Sequence, residues 1–258
     1  MFHLMKIEWR KIRLSTLFAL VAITIVACVL TCTLYPNYAL RYDLDAWEVG
    51  TEFFGLIYPL FVVIPLCWGL YYERKNNFLI YVRPRVSLKM YLFTKWLVYA
   101  LSGFLIITIP YLMSAVAALY IKPPIVPFDP GSGPVSPFAH VFLDAYTQHP
   151  MAYAVGLSCW KGVIGILIMT MGFVLAMYCD NIFVVLTGPF MYAVLENFIL
   201  SILSVPQYRL VTAFEPSCIA PDAVSAASFI AGPTLELLVT LFLVLFFKKI
   251  RKVKVVQI

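Results

Sequence analysis

Along the chain, long apolar stretches alternate with short charged ones six times. The apolar runs cover residues 16–34, 53–72, 91–120, 151–178, 182–203 and 233–247. Each predicts a membrane-spanning helix, because about 20 apolar residues are needed to cross the hydrocarbon layer. The third and fourth runs exceed that length, so tilt, bending or projection is expected, with Pro110, Gly165 and Gly172 as bending points. The sixth run is short, and its helix is expected to start nearer Ala226. Ahead of the first run, Phe2, Met5, Trp9 and Ile12 recur at spacings of three and four, with Lys6, Arg10, Lys11 and Arg13 between them. This pattern predicts an amphipathic helix over residues 1–15, lying in the headgroup layer and anchored by Trp9, Arg10, Lys11 and Arg13. A simple topology anchor would carry the same pattern.

The links between runs differ in character. Residues 121–150 contain "KPPIVPFDPGSGPVSP", whose prolines and glycines forbid a long helix, followed by a short amphipathic piece, "FAHVFLDAY". Residues 204–232 are only moderately polar and predict short helices dipping into the outer leaflet. Within them, "PDAVSAASFIAG" reads as a helix with Pro221 and Asp222 in its first turn.

Composition strengthens this picture. Of 258 residues, 62% are hydrophobic and only 12% charged, about half the charge of an ordinary soluble domain. Lysines and arginines then set the expected orientation. Lys6, Arg10, Lys11 and Arg13 precede the first run. Arg74, Lys75, Arg83, Arg85, Lys89 and Lys95 lie between the second and third, and Lys248, Lys249, Arg251, Lys252 and Lys254 follow the sixth. The opposite links hold Arg41, Lys122 and Arg209 against Asp43, Asp45, Glu48, Asp129, Asp144, Glu215 and Asp222. The expected fold class is therefore an all-α membrane protein of six transmembrane helices with cytoplasmic N- and C-termini. It is read as one transmembrane domain over residues 1–258. Residues 1–15 would be the interfacial helix, 16–72 the first two spans, 73–90 a cytoplasmic loop and 91–203 the next three spans. Residues 204–232 would be an external segment, and 233–258 the last span with a basic tail. No cleavable signal peptide is expected, since no small-x-small site follows the first run.

Candidate chemistry is sparse. No phosphate-binding G-x-x-x-x-G-K-[ST] loop, H-E-x-x-H or G-x-S-x-G occurs, and His3, His140 and His149 are scattered. No catalytic residues, resident metal or nucleic-acid partner are expected. Cys28, Cys32, Cys67, Cys159, Cys179 and Cys218 read mainly as small apolar residues, with no disulfide framework. Ionisable residues inside spans carry more information, because each is costly unless paired or hydrated. Lys161 and Glu196 fall at similar depths in the fourth and fifth runs. They are candidates for an interhelical ion pair or for a polar translocation path. Glu52 and Glu236 are expected near outer helix ends, within reach of water.

One link is unusual. Residues 71–95, "YYERKNNFLIYVRPRVSLKMYLFTK", combine seven charges with aromatic and aliphatic residues throughout. Either a lipid-facing loop or a docking surface for a soluble partner has this composition. Glu73, a polar gap, a hydrophobic stretch, "RPRVS", Tyr91 and Lys95 resemble the first intracellular loop of ABC-2-type transporter permeases. Members carry a glutamate ending the second span, a small-residue break, a proline-containing turn and a lysine opening the third. Here Asn76 and Asn77 stand where glycine or serine is frequent.

The resemblance extends to the six spans, the amphipathic N-terminus and the partly apolar segment before the last span. It implies a permease subunit of a bacterial plasma-membrane exporter of peptides, lantibiotics or drugs. A second permease copy would complete a homodimer or heterodimer in the membrane lipid, and a separate ATP-binding cassette subunit would hold ATP and magnesium. Glu73, Arg74, Arg83, Pro84, Arg85, Ser87 and Lys89 would then couple the two subunits, and this chain would itself be no enzyme. An ion-coupled secondary transporter using Lys161 and Glu196, or a peptide-binding sensor or immunity protein, are the competing expectations.

Overall fold

The computed structural model describes residues 2–78, 86–125 and 140–250, without the side chains of Pro221 and Ile250. Six helices are long and apolar enough to cross a membrane, and among the described residues there is no strand. They are α1 (Phe2–Leu34), α3 (Phe54–Lys75), α4 (Leu88–Val116), α6 (Pro150–Tyr178), α7 (Ile182–Ile202) and α9 (Ala226–Leu245). Short helices α2 (Asp45–Thr51), α5 (Leu143–Gln148) and α8 (Leu210–Phe214) lie in the links at one end of the bundle.

The N-terminal segment departs from expectation. No separate interfacial helix exists, because Phe2–Leu34 is one unbroken helix. It contains neither glycine nor proline, so nothing interrupts its hydrogen-bond ladder. At about 1.5 Å per residue it is roughly 50 Å long, well beyond a hydrocarbon layer of about 30 Å. The face it buries carries Glu8, Ile12, Thr16, Ala27 and Thr31. Phe2 and Trp9, placed by the sequence on the apolar strip of a headgroup-layer helix, are exposed along with Arg10 and Arg13.

The core is built by α3, α4 and α6. Half or more of the most apolar stretch of each is buried, against less than a quarter in α1, α7 and α9. Close helix approach in a membrane depends on small residues, because lipid provides no hydrophobic drive between helices. At the α4–α6 crossing, a Cβ added to Gly165 would sit 3.2 Å from the Gly103 carbonyl oxygen, and one added to Gly103 would sit 3.4 Å from that of Gly165. Gly172 lies against Cys67 and Val63 of α3 in the same way. Gly165 and Gly172 are thus contact points between helices. Outward faces carry Phe18, Phe183, Phe198 and Phe242, all exposed, as surfaces covered by lipid require.

Sequence signals at two helix ends resolve differently. At the end of α3, Asn77 takes a left-handed backbone with φ 56°, a conformation that asparagine tolerates nearly as glycine does. At the start of α9, Pro221 and Asp222 form a separate 3-10 turn. The helix is instead capped by Ser225, in a reciprocal box with Ser228.

Candidate functional site

Ionisable side chains gather at both ends of the bundle. At the end carrying the α1 N-terminus and the α3–α4 link, four charges from three helices form a closed network. Lys95 of α4, fully buried, reaches Glu8 of α1 at 3.1 Å and also pairs with Glu73 of α3. Lys11 donates to Glu8 at 2.7 Å and to Glu73 at 3.2 Å. The Tyr91 hydroxyl donates to Glu8 at 3.2 Å. Two positive and two negative groups balance, which is what permits three of the five side chains to be nearly inaccessible.

Beside this network, the Arg74 guanidinium ties α3 to the C-terminus of α6. It donates to the carbonyls of Met177 and Cys179 and pairs with Asp180 at 2.8 Å. Cationic donors suit a helix C-terminus, where carbonyls lack intrahelical partners. The Tyr71 hydroxyl adds a bond to the Asp180 carbonyl at 2.6 Å. Stacking of Tyr178 on Phe247, with ring centroids 5.4 Å apart, joins α6 to the end of the last helix.

The residues proposed from sequence for partner coupling therefore divide. Glu73 and Arg74 are engaged within the bundle. Ser87 and Lys89 are exposed at the start of α4, as are Lys75 and Phe78 at the end of α3. Arg83, Pro84 and Arg85 lie outside the described residues.

At the opposite end, Lys161 and Glu196 do not pair. Lys161, fully buried in α6, donates to Glu215 at 2.6 Å. Its ammonium also lies 4.1 Å from the Tyr111 ring centroid, 5.1 Å from Trp47 and 5.3 Å from Phe214. A cation out of water is stabilised both by a carboxylate and by aromatic faces. Glu215 follows α8, in the link expected to carry short helices dipping into the outer leaflet. Its identity as the partner depends on that link folding inward, which neighbouring charges along the sequence do not signal.

Glu196 instead accepts the Leu210 amide at 2.9 Å. Glu236, expected near water, is 1% exposed and accepts the Thr240 hydroxyl at 3.1 Å.

A third cluster closes the outer links. Asp45 at the start of α2 accepts the amides of Arg41 and Tyr42, each at 2.9 Å, and the Tyr146 hydroxyl at 2.8 Å. His140 lies 3.0 Å from Asp45 and 3.6 Å from Glu48, with its ring stacked on Tyr146 at 3.9 Å. Burial works against a charged imidazole here, but bonds to Asp45 and Glu48 outweigh it and lift His140 to about 9. The same bonds hold Asp45 below its ordinary range despite burial, whereas burial pushes Glu48 up. Lys122 pairs with Asp43 at 2.7 Å nearby. Cys28, Cys32, Cys67, Cys159 and Cys218 are free thiols.

Comparison with protein-family models, curated proteins and solved structures yields no match.

Proposed function

We propose that the chain is the membrane-spanning permease subunit of an ATP-driven exporter of the ABC-2 type, with ATP hydrolysed by a separate subunit. The observation that supports this reading is the mechanical setting of the α3–α4 link. Lys75, Phe78, Ser87 and Lys89 are exposed there, offering basic and aromatic side chains to a partner. Immediately behind them, Glu73 and Arg74 fasten the same helix end to α1, α4 and α6. A push on the exposed residues would move several spans together. Coupling of this kind needs contacts that differ between two states, and the link is where a soluble partner could make them. In this reading both termini are cytoplasmic, the cargo is amphipathic or apolar, and its path runs between two permease copies along α3 and α7.

The test is co-purification from native membranes in mild detergent, followed by an ATPase assay. The reading expects a stoichiometric ATP-binding subunit, recovered with the wild-type chain and lost from a Lys75→Glu, Phe78→Ser, Lys89→Glu triple variant that still folds. Recovery of the chain without an ATPase, or an unchanged complex and transport rate in the triple variant, would refute it. The same result separates it from ion-coupled transport, which needs no such partner.

A further inference from the structure

A groove of about 690 Å³ runs between α1 and α3 on the outside of the bundle. Lys11 and Ser15 of α1, with Trp68 and Gly69 of α3, line one end, and Ile23 with Leu60 lines the other. The two helices run antiparallel here, since Lys11 near the start of α1 reaches Glu73 near the end of α3. From Lys11 to Ile23, at about 1.5 Å per residue, the groove is roughly 18 Å long. That matches one leaflet, which is half of a hydrocarbon layer of about 30 Å.

Its lining is apolar except for Lys11, Ser15 and the Trp68 indole, and the Ser15 hydroxyl already donates to the Pro65 carbonyl at 2.9 Å. Gly69 helps to keep it open. A Cβ built there would meet nothing within 4 Å, so no close approach of helices requires a glycine. No glycine among the described residues has a positive φ, so no backbone conformation requires it either. A glycine inside a helix weakens it, and here the space gained belongs to the groove.

The charge at the Lys11 end is one-sided. Glu8, Glu73 and Asp180 each already hold a lysine or arginine. Lys6, Arg10, Arg13 and Lys75 are exposed at the same end and pair with no acid among the described residues. The Lys11 ammonium gives two of its three N–H donors to Glu8 and Glu73 and keeps 34% of its side chain exposed, which leaves one donor for an acceptor from outside. Trp68 and Tyr72, with ring centroids 5.5 Å apart, form the kind of aromatic pair that sits at headgroup level.

We propose that this groove binds one anionic phospholipid, with its phosphate at Lys11 and one acyl chain lying along the groove towards Ile23 and Leu60. Length, apolar lining and the surplus of positive charge at one end fit that ligand together. A helix of another chain would cover the apolar lining but bring no anion to Lys11, and a zwitterionic lipid would add its own cation to the surplus. Binding here does not depend on an ATPase docking at the α3–α4 link.

The test uses the purified full chain in phosphatidylcholine bilayers, with tryptophan fluorescence followed as brominated-acyl phosphatidylglycerol is added in rising mole fraction. Trp68 is 50% exposed on the groove, so the part of the quenching that disappears in Trp68→Phe reports what occupies it. That part is expected to saturate at a much lower mole fraction of brominated phosphatidylglycerol than of brominated phosphatidylcholine. Lys11→Gln should raise the half-saturating fraction about fivefold, and Gly69→Leu, which fills the groove, should abolish the preference. Equal quenching of wild-type Trp68 by the two lipids would overturn the proposal, even if a variant failed to fold. A preference unchanged in a folded Gly69→Leu would overturn it as well. So would a Trp68 that neither brominated lipid quenches, because the groove would then be covered by protein, such as a second copy of the chain.

Discussion

Lys161 and Glu215 meet at 2.6 Å although 54 residues separate them in sequence. The lysine projects from the middle of a spanning helix, and the glutamate comes from a link between spans. Around them Trp47, Tyr111 and Phe214 close an aromatic wall drawn from three further elements. The contact ties α6 to α8 and, through the rings, to α2 and α4.

This pair gives the clearest stability test. Lys161→Met leaves Glu215 buried without its cation and is expected to cost about 3–5 kcal/mol. Replacing both residues, as Lys161→Met with Glu215→Leu, should recover most of that loss, because an apolar pair needs no desolvation of charge. Unfolding of the four proteins of the cycle in one detergent checks this. Additive losses would show that the two side chains do not interact.

The network at the opposite end should be graded by burial. Lys95 is fully inaccessible between two carboxylates, so Lys95→Met is expected to lower stability by about 3–5 kcal/mol. Lys11 keeps 34% of its side chain exposed, and solvent screening limits Lys11→Met to about 1 kcal/mol or less. Equal effects in thermal unfolding would contradict the placement of Lys95.

The outer cluster predicts a pH dependence. His140 rises from its ordinary 6.5 to about 9 in the folded chain. Its contribution is therefore complete below about pH 6.5 and fades as pH climbs through 9. Asp45 is lowered from an ordinary 3.8, so its contribution is complete above about pH 4 and fades as pH falls through its lower folded value. Together they place the strongest latch between about pH 4 and 6.5. A titration of the unfolding midpoint should fall from pH 6.5 to 9 in wild type, and the part due to the imidazole should vanish in His140→Gln.

Glycine substitutions should separate close approach from helix propensity. A Cβ at Gly50 would lie 2.5 Å from the Thr31 Cα and 2.6 Å from its amide nitrogen. Backbone cannot yield as a side chain does, so Gly50→Ala is expected to force α2 from α1 at a cost of about 1–3 kcal/mol. Gly156 has nothing within 4 Å of the same position, and Gly156→Ala should stabilise α6 by up to about 1 kcal/mol. Thermal unfolding of both variants would expose a misplaced α1–α2 contact if Gly50→Ala proved harmless.

Six spans and their approximate limits followed from local hydropathy, because a helix long enough to cross a bilayer must be apolar along its own sequence. The late start of the last helix at Ala226 was legible for the same reason. The unbroken Phe2–Leu34 helix was legible too, in the absence of any breaker, but the lysines and arginines suggested a separate surface helix.

Partners of the buried charges depended on tertiary structure. Similar depth suggested Lys161 with Glu196, yet depth says nothing about the direction in which a side chain points around its helix axis. Rotation of α6 and the inward fold of the α8 link gave Lys161 to Glu215, leaving Glu196 to the Leu210 amide. Glu8 and Lys95 likewise sit in different apolar helices, and only the packing of α1 against α4 brings them together. Hydropathy is a property of segments and can be read one segment at a time. Charge pairing belongs to the relative rotation and approach of helices, which small residues such as Gly103 and Gly165 permit.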